Sequence, residues 1–292
     1  MRPRLLIVFA ALCFSTTGTM QELGLENANA LSVAAVRTAI GAVALLLISR
    51  IARKDTASSP LPSRELLIAG TGMALYAVAF FSAVRMTGIA VGTVVALGSA
   101  PLFAGLGALA LWRERPSLRW TLTTSIAVLG MAFIVITGDE TKIDLKGIAA
   151  ASAAGGGYAL FALSSKSIMK DTRNAASAMA AVFGVATIFL SPIFVFVDLS
   201  WISSWRGAGT AAWLGIVSVA LAYWAYSTGL RSVSPSDATA LTIVEPVAAT
   251  LLAAFVLREQ PGLLAWVGIA IVIGSLSLGS RTKQTNGHLR AS

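Results

Sequence analysis

Charge is what this 292-residue sequence has least of. Only 12% of its residues are Asp, Glu, Lys or Arg, against roughly 25% in a soluble domain. With 56% hydrophobic residues and a mean hydropathy of +0.79, there is too little polar side chain to cover a water-facing surface. The solvent around most of the chain is therefore lipid. Cysteine and histidine are scarcer still. A single cysteine, Cys13, excludes an internal disulfide and a thiolate metal cluster, and a single histidine, His288, in a polar tail, excludes a zinc site or a histidine-based triad. No metal site and no cofactor is expected. Long polar stretches are lacking too: only Arg50–Arg64 and Asp198–Gly209 have room for even a surface helix, so no soluble domain fits.

What is present is a series of apolar runs of about 17 to 23 residues, the length that crosses hydrocarbon at a rise of about 1.5 Å per residue. Ten such runs are read, at approximately 4–21, 31–51, 66–84, 89–111, 118–137, 146–164, 175–197, 211–229, 236–257 and 262–280. The expected fold class is an all-α polytopic membrane protein with ten transmembrane helices. Arg2 and Arg4 ahead of Leu5–Phe14 resemble the start of a secretory signal, but no A-x-A cleavage site follows. The first run is expected to be retained as a helix.

The net charge of +9 comes from 22 Lys+Arg against 13 Asp+Glu. A basic excess gathered on one face would indicate nucleic acid; here the charges sort by loop instead. With a cytoplasmic N-terminus, sixteen basic residues fall inside: Arg2, Arg4, Arg50, Arg53, Lys54, Arg64, Arg113, Arg115, Arg119, Lys166, Lys170, Arg173, Arg231, Arg281, Lys283 and Arg290. Five fall outside: Arg85, Lys142, Lys146, Arg206 and Arg258. The positive-inside rule then puts both termini in the cytoplasm. No nucleic-acid partner is expected; the partners are the bilayer and a small-molecule substrate.

The second half repeats the first at an offset of 145 residues. Ala77 aligns with Ala222, Ser82 with Ser227, Pro101 with Pro246, Leu106 with Leu251 and Ala108 with Ala253. Arg113-Glu114-x-Pro116 aligns with Arg258-Glu259-x-Pro261, and Leu118 with Leu263. Five runs per copy is an odd number, so the two copies cross the membrane in opposite senses. The expected units are 1–140 and 141–281, followed by a polar cytoplasmic tail, 282–292. Inverted repeats of this kind characterise secondary transporters, in which two related halves exchange conformations and open a central site to each side in turn.

Ten runs in two five-helix copies, the R-E-x-P endings at Arg113–Pro116 and Arg258–Pro261, and the Glu245-Pro246 pair resemble the drug/metabolite transporter superfamily, in its EamA-domain branch. The resemblance covers essentially Arg4 to Gly279. Within that branch the chain resembles YddG-type amino-acid exporters of bacterial inner membranes, many of which carry Trp where this chain has Phe14. The resemblance implies a multi-pass inner-membrane transporter, not an enzyme, that exports amino acids and related small metabolites by alternating access.

Counting about ten residues in from each start gives the bilayer midplane. That depth selects Phe14, Ser15, Tyr76, Phe80, Ser99, Tyr158, Thr242 and Glu245 as candidate cavity residues, with Pro101 and Pro246 as candidate kinks. Trp224, beside Tyr223 and Tyr226, is added as a cavity aromatic. Glu245 is the sharpest candidate, because a carboxylate at the bilayer centre costs a few kcal/mol and faces a cavity or a partner. It can bind a substrate ammonium or carry a proton; a structural residue bonded to a neighbouring helix meets the same cost. Its repeat counterpart is Ala100, so an acidic site would be asymmetric. Gly155-Gly156-Gly157 points to close helix packing or to a thinned helix beside a cavity. Arg37 is expected to snorkel outward or to pair with Glu22 or Glu26, and Asp237 to complement a helix N-terminus. The alternative to amino-acid export is a proton-coupled multidrug exporter of lipophilic cations. A membrane enzyme would need a second mid-depth acid or a histidine, which the sequence does not supply.

Overall fold

The computed structural model describes residues 2–25, 28–51, 62–135, 144–171 and 174–280. Glu26, the 140/141 boundary and the tail with His288 lie outside the described residues, as do Arg53, Lys54, Lys142, Arg173, Arg281, Lys283 and Arg290. Apolar sequence in a medium without water must satisfy its backbone internally, and the described chain does so with helices and no strand. They are α1 (Pro3–Gly24), α2 (Ala30–Ile51), α3 (Ser63–Gly88), α4 (Val91–Trp112), α5 (Leu118–Val135), α6 (Leu145–Asp171), α7 (Ala175–Leu190), α8 (Trp205–Leu230), α9 (Pro235–Leu257) and α10 (Leu263–Ser280). Eight of these, α1 to α6 with α8 and α9, are long and apolar enough to span a membrane. The helix α7 and the Leu263–Ser275 part of α10 are shorter apolar helices.

The helix starts and stops follow local chemistry. Ser204 and Ser234 accept the backbone N–H groups of Gly207 at 3.0 Å and Asp237 at 3.1 Å, and Asn174 accepts that of Ser177 at 3.0 Å. Each thereby caps a helix N-terminus; Asp237 lies in the first turn of α9, where a negative charge suits the helix dipole. The seventh run ends at Leu190 and not at 197. Pro192 has no N–H for the Ile188 carbonyl, which accepts instead from Ser191 N–H at 3.2 Å and Ser191 Oγ at 2.8 Å. A short turn of helix, Ile193–Phe196, and a 3₁₀ turn, Ser200–Ser203, follow.

Between α3 and α4 the chain turns at Gly88, with φ 81° and ψ 164°, a region open only to glycine. The break falls there; α4 runs through Pro101 with helical backbone. In α9 the break lies upstream of Pro246, at Thr242 and Ile243. The Thr242 carbonyl, which Pro246 has no N–H to bond, accepts Glu245 N–H at 2.9 Å, and Ile243 N–H bonds Ala240 O at 3.2 Å. Tighter i+3 bonds thus take up what the proline gives away.

Helix bounds recur at the 145-residue offset. The helices α2 and α7 start at Ala30 and Ala175, α5 and α10 at Leu118 and Leu263, and α4 and α9 end at Trp112 and Leu257. The residues after those last two, Arg113 and Arg258, both take a left-handed conformation, φ 55° and 59°. In each, the following N–H reaches back six residues, Glu114 to Ala108 O and Glu259 to Ala253 O, so a left-handed residue and one wide bond tie off the helix end.

Glycine lets helices touch. A Cβ on Gly72 would stand 2.6 Å from the Gly157 carbonyl oxygen, and one on Gly157 2.6 Å from that of Gly72, so α3 and α6 meet backbone to backbone. A Cβ on Gly155 would strike Ser99 Oγ at 2.1 Å and Ala96 O at 2.7 Å, while Gly156 faces open space. The glycine triplet is therefore a packing device that seats α6 on α3 and α4. Large apolar side chains such as Leu47, Leu106, Phe255 and Leu263 are exposed on the outside, as expected of a bundle whose surroundings are hydrocarbon.

Candidate functional site

One end of the bundle, where α1, α3, α5, α7 and α9 begin, is closed. There Pro3 O and Ile7 of α1 lie so near Gly229 of α8 that a Cβ would stand 2.6 and 2.8 Å from them. Lys166 of α6 donates to three carbonyls at and just after the end of α8, Leu230 at 2.7 Å, Arg231 at 3.0 Å and, in the turn toward α9, Val233 at 2.9 Å. The first two are among the groups a helix C-terminus leaves without an internal partner. Arg4 and Asp237 add an ion pair of 3.8 Å.

Toward the opposite end, where α1 and α3 finish and α2 begins, the helices part around a cavity of about 480 Å³. Its wall is aromatic. Tyr76 of α3 stacks on Phe80 with centroids 5.7 Å apart and meets Tyr158 of α6 at 5.5 Å, while Phe14 of α1 meets Tyr223 of α8 at 4.8 Å. Phe161, Phe183 and Tyr226 extend the cluster behind the wall. All four tyrosines of the chain belong to this cluster. Such ring pairs prefer tilted or offset geometry and stabilise a fixed wall.

Polar groups enter on this aromatic ground. Ser15, Thr17, Thr93 and Thr242 line the cavity; Ser15 and Thr242 donate their hydroxyls to Leu12 O and Thr239 O, both at 2.7 Å, which leaves oxygen lone pairs for the interior. Glu245 projects from just beyond the break in α9. Glu22 and Arg37, from the end of α1 and the first half of α2, line the same space. A second cavity of about 710 Å³ adjoins it between α4, α5, α9 and α10, and the two share Gly18, Glu22, Thr93, Leu97, Glu245 and Ala249. Among the described residues no cluster of three His, Cys, Asp or Glu could hold a metal ion.

Of the residues selected by depth, the cavity wall brings together Phe14, Ser15, Tyr76, Phe80, Tyr158, Thr242 and Glu245. Pro246 lines the second cavity, and Pro101 is buried. Ser99 stands apart: its hydroxyl donates to Ala96 O at 3.2 Å and its side chain covers Gly155. Trp224 lies on the outer surface, 37% exposed, while its neighbour Tyr223 takes the place on the wall. Depth counting missed Arg37, Glu22 and Tyr223. Arg37 lines the cavity and forms no ion pair with Glu22.

The EamA-like transporter family model matches this chain twice, over residues 1–136 and 145–281. A relative named Uncharacterized transporter YwfM, from Bacillus subtilis (strain 168), is 37% identical over 272 residues, which cover 92% of this chain and 90% of that protein. A solved crystal structure superposes on 95% of this chain and 96% of its own with a TM-score of 0.79, at 17% identity, and so shares the fold.

Proposed function

We propose, starting from the fact that the chain belongs to the EamA-like transporter family, that it exports amino acids and related small metabolites across a bacterial inner membrane by alternating access. Ten transmembrane helices in two inverted units, 1–140 and 141–281, with both termini and the tail 282–292 cytoplasmic, carry that cycle. Recurrence of helix bounds and left-handed caps at 145 residues supports the two units, and the loop distribution of basic residues supports the orientation. In that orientation the closed end is cytoplasmic and the cavity opens outward.

The observation that carries the reading is the cavity itself: closed below, open above, walled by both units, with one carboxylate at mid-depth among aromatic rings. An ammonium group finds in Glu245 a counter-ion, and rings of Tyr76, Tyr158, Tyr223 and Phe14 accept side chains of varied size. A second reading, proton-coupled export of lipophilic cations, is favoured by the second cavity, which Glu22, Glu245 and Glu259 line and where no Lys or Arg is found among the described lining residues. Proteoliposomes separate the two. Radiolabelled amino acids are expected to exchange across the membrane through the wild-type protein. Glu245→Gln is expected to raise the apparent KM about tenfold, the size of one lost charge-assisted bond, with transport persisting. Failure to carry any amino acid, together with efflux of a lipophilic cation that stops in Glu245→Gln, replaces the first reading with the second.

A further inference from the structure

Two side chains of opposite charge face the central cavity without meeting. Arg37 comes from α2 and Glu245 from α9. Among the described residues neither side chain has an ion-pair or hydrogen-bond partner. An isolated guanidinium or carboxylate inside a membrane span is costly, and such groups are held where something compensates them. Direct pairing would compensate both at once, yet the helices that carry them are set beyond ion-pair distance. Tyr76 and Tyr223 line the same cavity as the two charges. A ligand that fills the gap and satisfies both ends must carry both signs.

We propose that Arg37 is the specificity-determining residue of this cavity: it receives the carboxylate of a zwitterionic substrate whose ammonium group lies at Glu245. The inference rests on the amino-acid reading above and adds to it a requirement for a free carboxylate. Arg37 suits this role because its planar fork presents parallel donors to the two oxygens of a carboxylate, which a lysine ammonium cannot match. Bound this way, the substrate's side chain lies against Tyr76, Phe80 and Tyr158, where the wall is apolar and wide. Glu22, at the mouth, repels a bare carboxylate that approaches without an ammonium group. An amine leaves Arg37 uncompensated and an ester leaves it without an anion, so both are rejected at the same place.

The test uses the full chain in proteoliposomes with leucine, phenylalanine and threonine, the methyl ester of each, and the amine each yields on loss of its carboxyl group. Wild-type protein is expected to carry the free amino acids and to carry or be inhibited by the esters and amines about tenfold less well or worse. Arg37→Gln is expected to lose about that factor for the amino acids and to lose the discrimination, so that amine and amino acid become equivalent. Arg37→Lys is expected to fall between, because a point charge remains where the fork is lost. If the esters compete as well as the free acids, or if Arg37→Gln carries amino acids as wild type does, Arg37 is not the carboxylate pole and the exporter reading stands without it. If wild-type protein carries none of the three amino acids but moves tetraphenylphosphonium, both fall together. Thermal unfolding in detergent identifies a variant that does not fold; the ester and amine series on wild-type protein then decides alone.

Discussion

At the closed end Lys166 ties α6 to the end of α8 and the turn after it through three carbonyls. At the open end its counterpart 145 residues earlier is Gln21, whose side-chain amide bonds only Thr17 O of its own helix, at 3.3 Å. Gln21 lines the cavity mouth across from Val84 of α3. Related positions in related units thus hold different contacts, one spanning two helices and one folded back on its own. The difference teaches where the bundle has put its strength: at the closed end the end of α8 has a cation, a close-packed glycine and an ion pair beside it, and at the open end the corresponding helix, α3, has no such clasp from α1 among the described residues.

Substitutions can break this contrast or sharpen it. The largest effect is expected from Gly229→Leu, because Pro3 O and Ile7 occupy the space a side chain needs. Overpacking of this kind costs about 1–3 kcal/mol, and it pries α1 from α8. In a Cys13→Ser background, a cysteine at buried Ala10 should then react with an impermeant maleimide from the closed-end side, as it should not in the parent. Lys166→Met comes next. It leaves three carbonyls without their charged donor, a loss of about 2 kcal/mol that would raise the open-below population roughly thirtyfold, read by the same labelling rate. Gln21→Lys works in the opposite sense by giving the open end the cation that secures the closed one. A favourable charge near the α3 C-terminus contributes about 0.3–1 kcal/mol, so labelling of the cavity from the open side should slow by a few-fold. Asp237→Asn should change least, under about 1 kcal/mol, because the Arg4–Asp237 pair is 42% and 37% exposed; thermal unfolding in detergent should barely move.

Much of this architecture is legible in the sequence, because a run of apolar residues and a charged or Pro/Gly boundary are one-dimensional signals. The Leu118 and Leu263 starts and the paired Arg113 and Arg258 caps follow from the same aligned residues. The cavity was legible in height and not in direction. Depth counting places Tyr223 and Trp224 at the same level, yet consecutive helix residues point about 100° apart, and Tyr223 faces the cavity while Trp224 faces out. In a soluble helix the apolar stripe would have told them apart; in lipid the outer face is as apolar as the inner one and the periodic signal vanishes. Ser99 was misplaced for the same reason, since its side of α4 packs on Gly155 of α6. Arg37 was missed because a cation two turns from a helix end has an easy route to the interface along its own stem. Only the arrangement of helices around the cavity, whose lining includes Arg37 of α2 with Tyr76 of α3, Tyr223 of α8 and Glu245 of α9, shows that the stem turns inward.

The last helix turns before and after the aromatic wall are not all wound alike. Residues Ile216–Leu221 of α8 and Ala253–Leu257 of α9 form π turns, whereas the residues 145 positions earlier, within α3 and α4, are wound as ordinary α-helix. A π turn holds an extra residue without lengthening the hydrogen-bonded path by a full α step. It therefore acts as a vernier: winding the same residues as α-helix would turn everything beyond Leu221 by about 100° relative to everything before Ile216. Tyr223 and Tyr226 lie beyond that mark, so the azimuth of Tyr223 on the aromatic wall, and of Tyr226 behind it, is set by a single residue of helical slack.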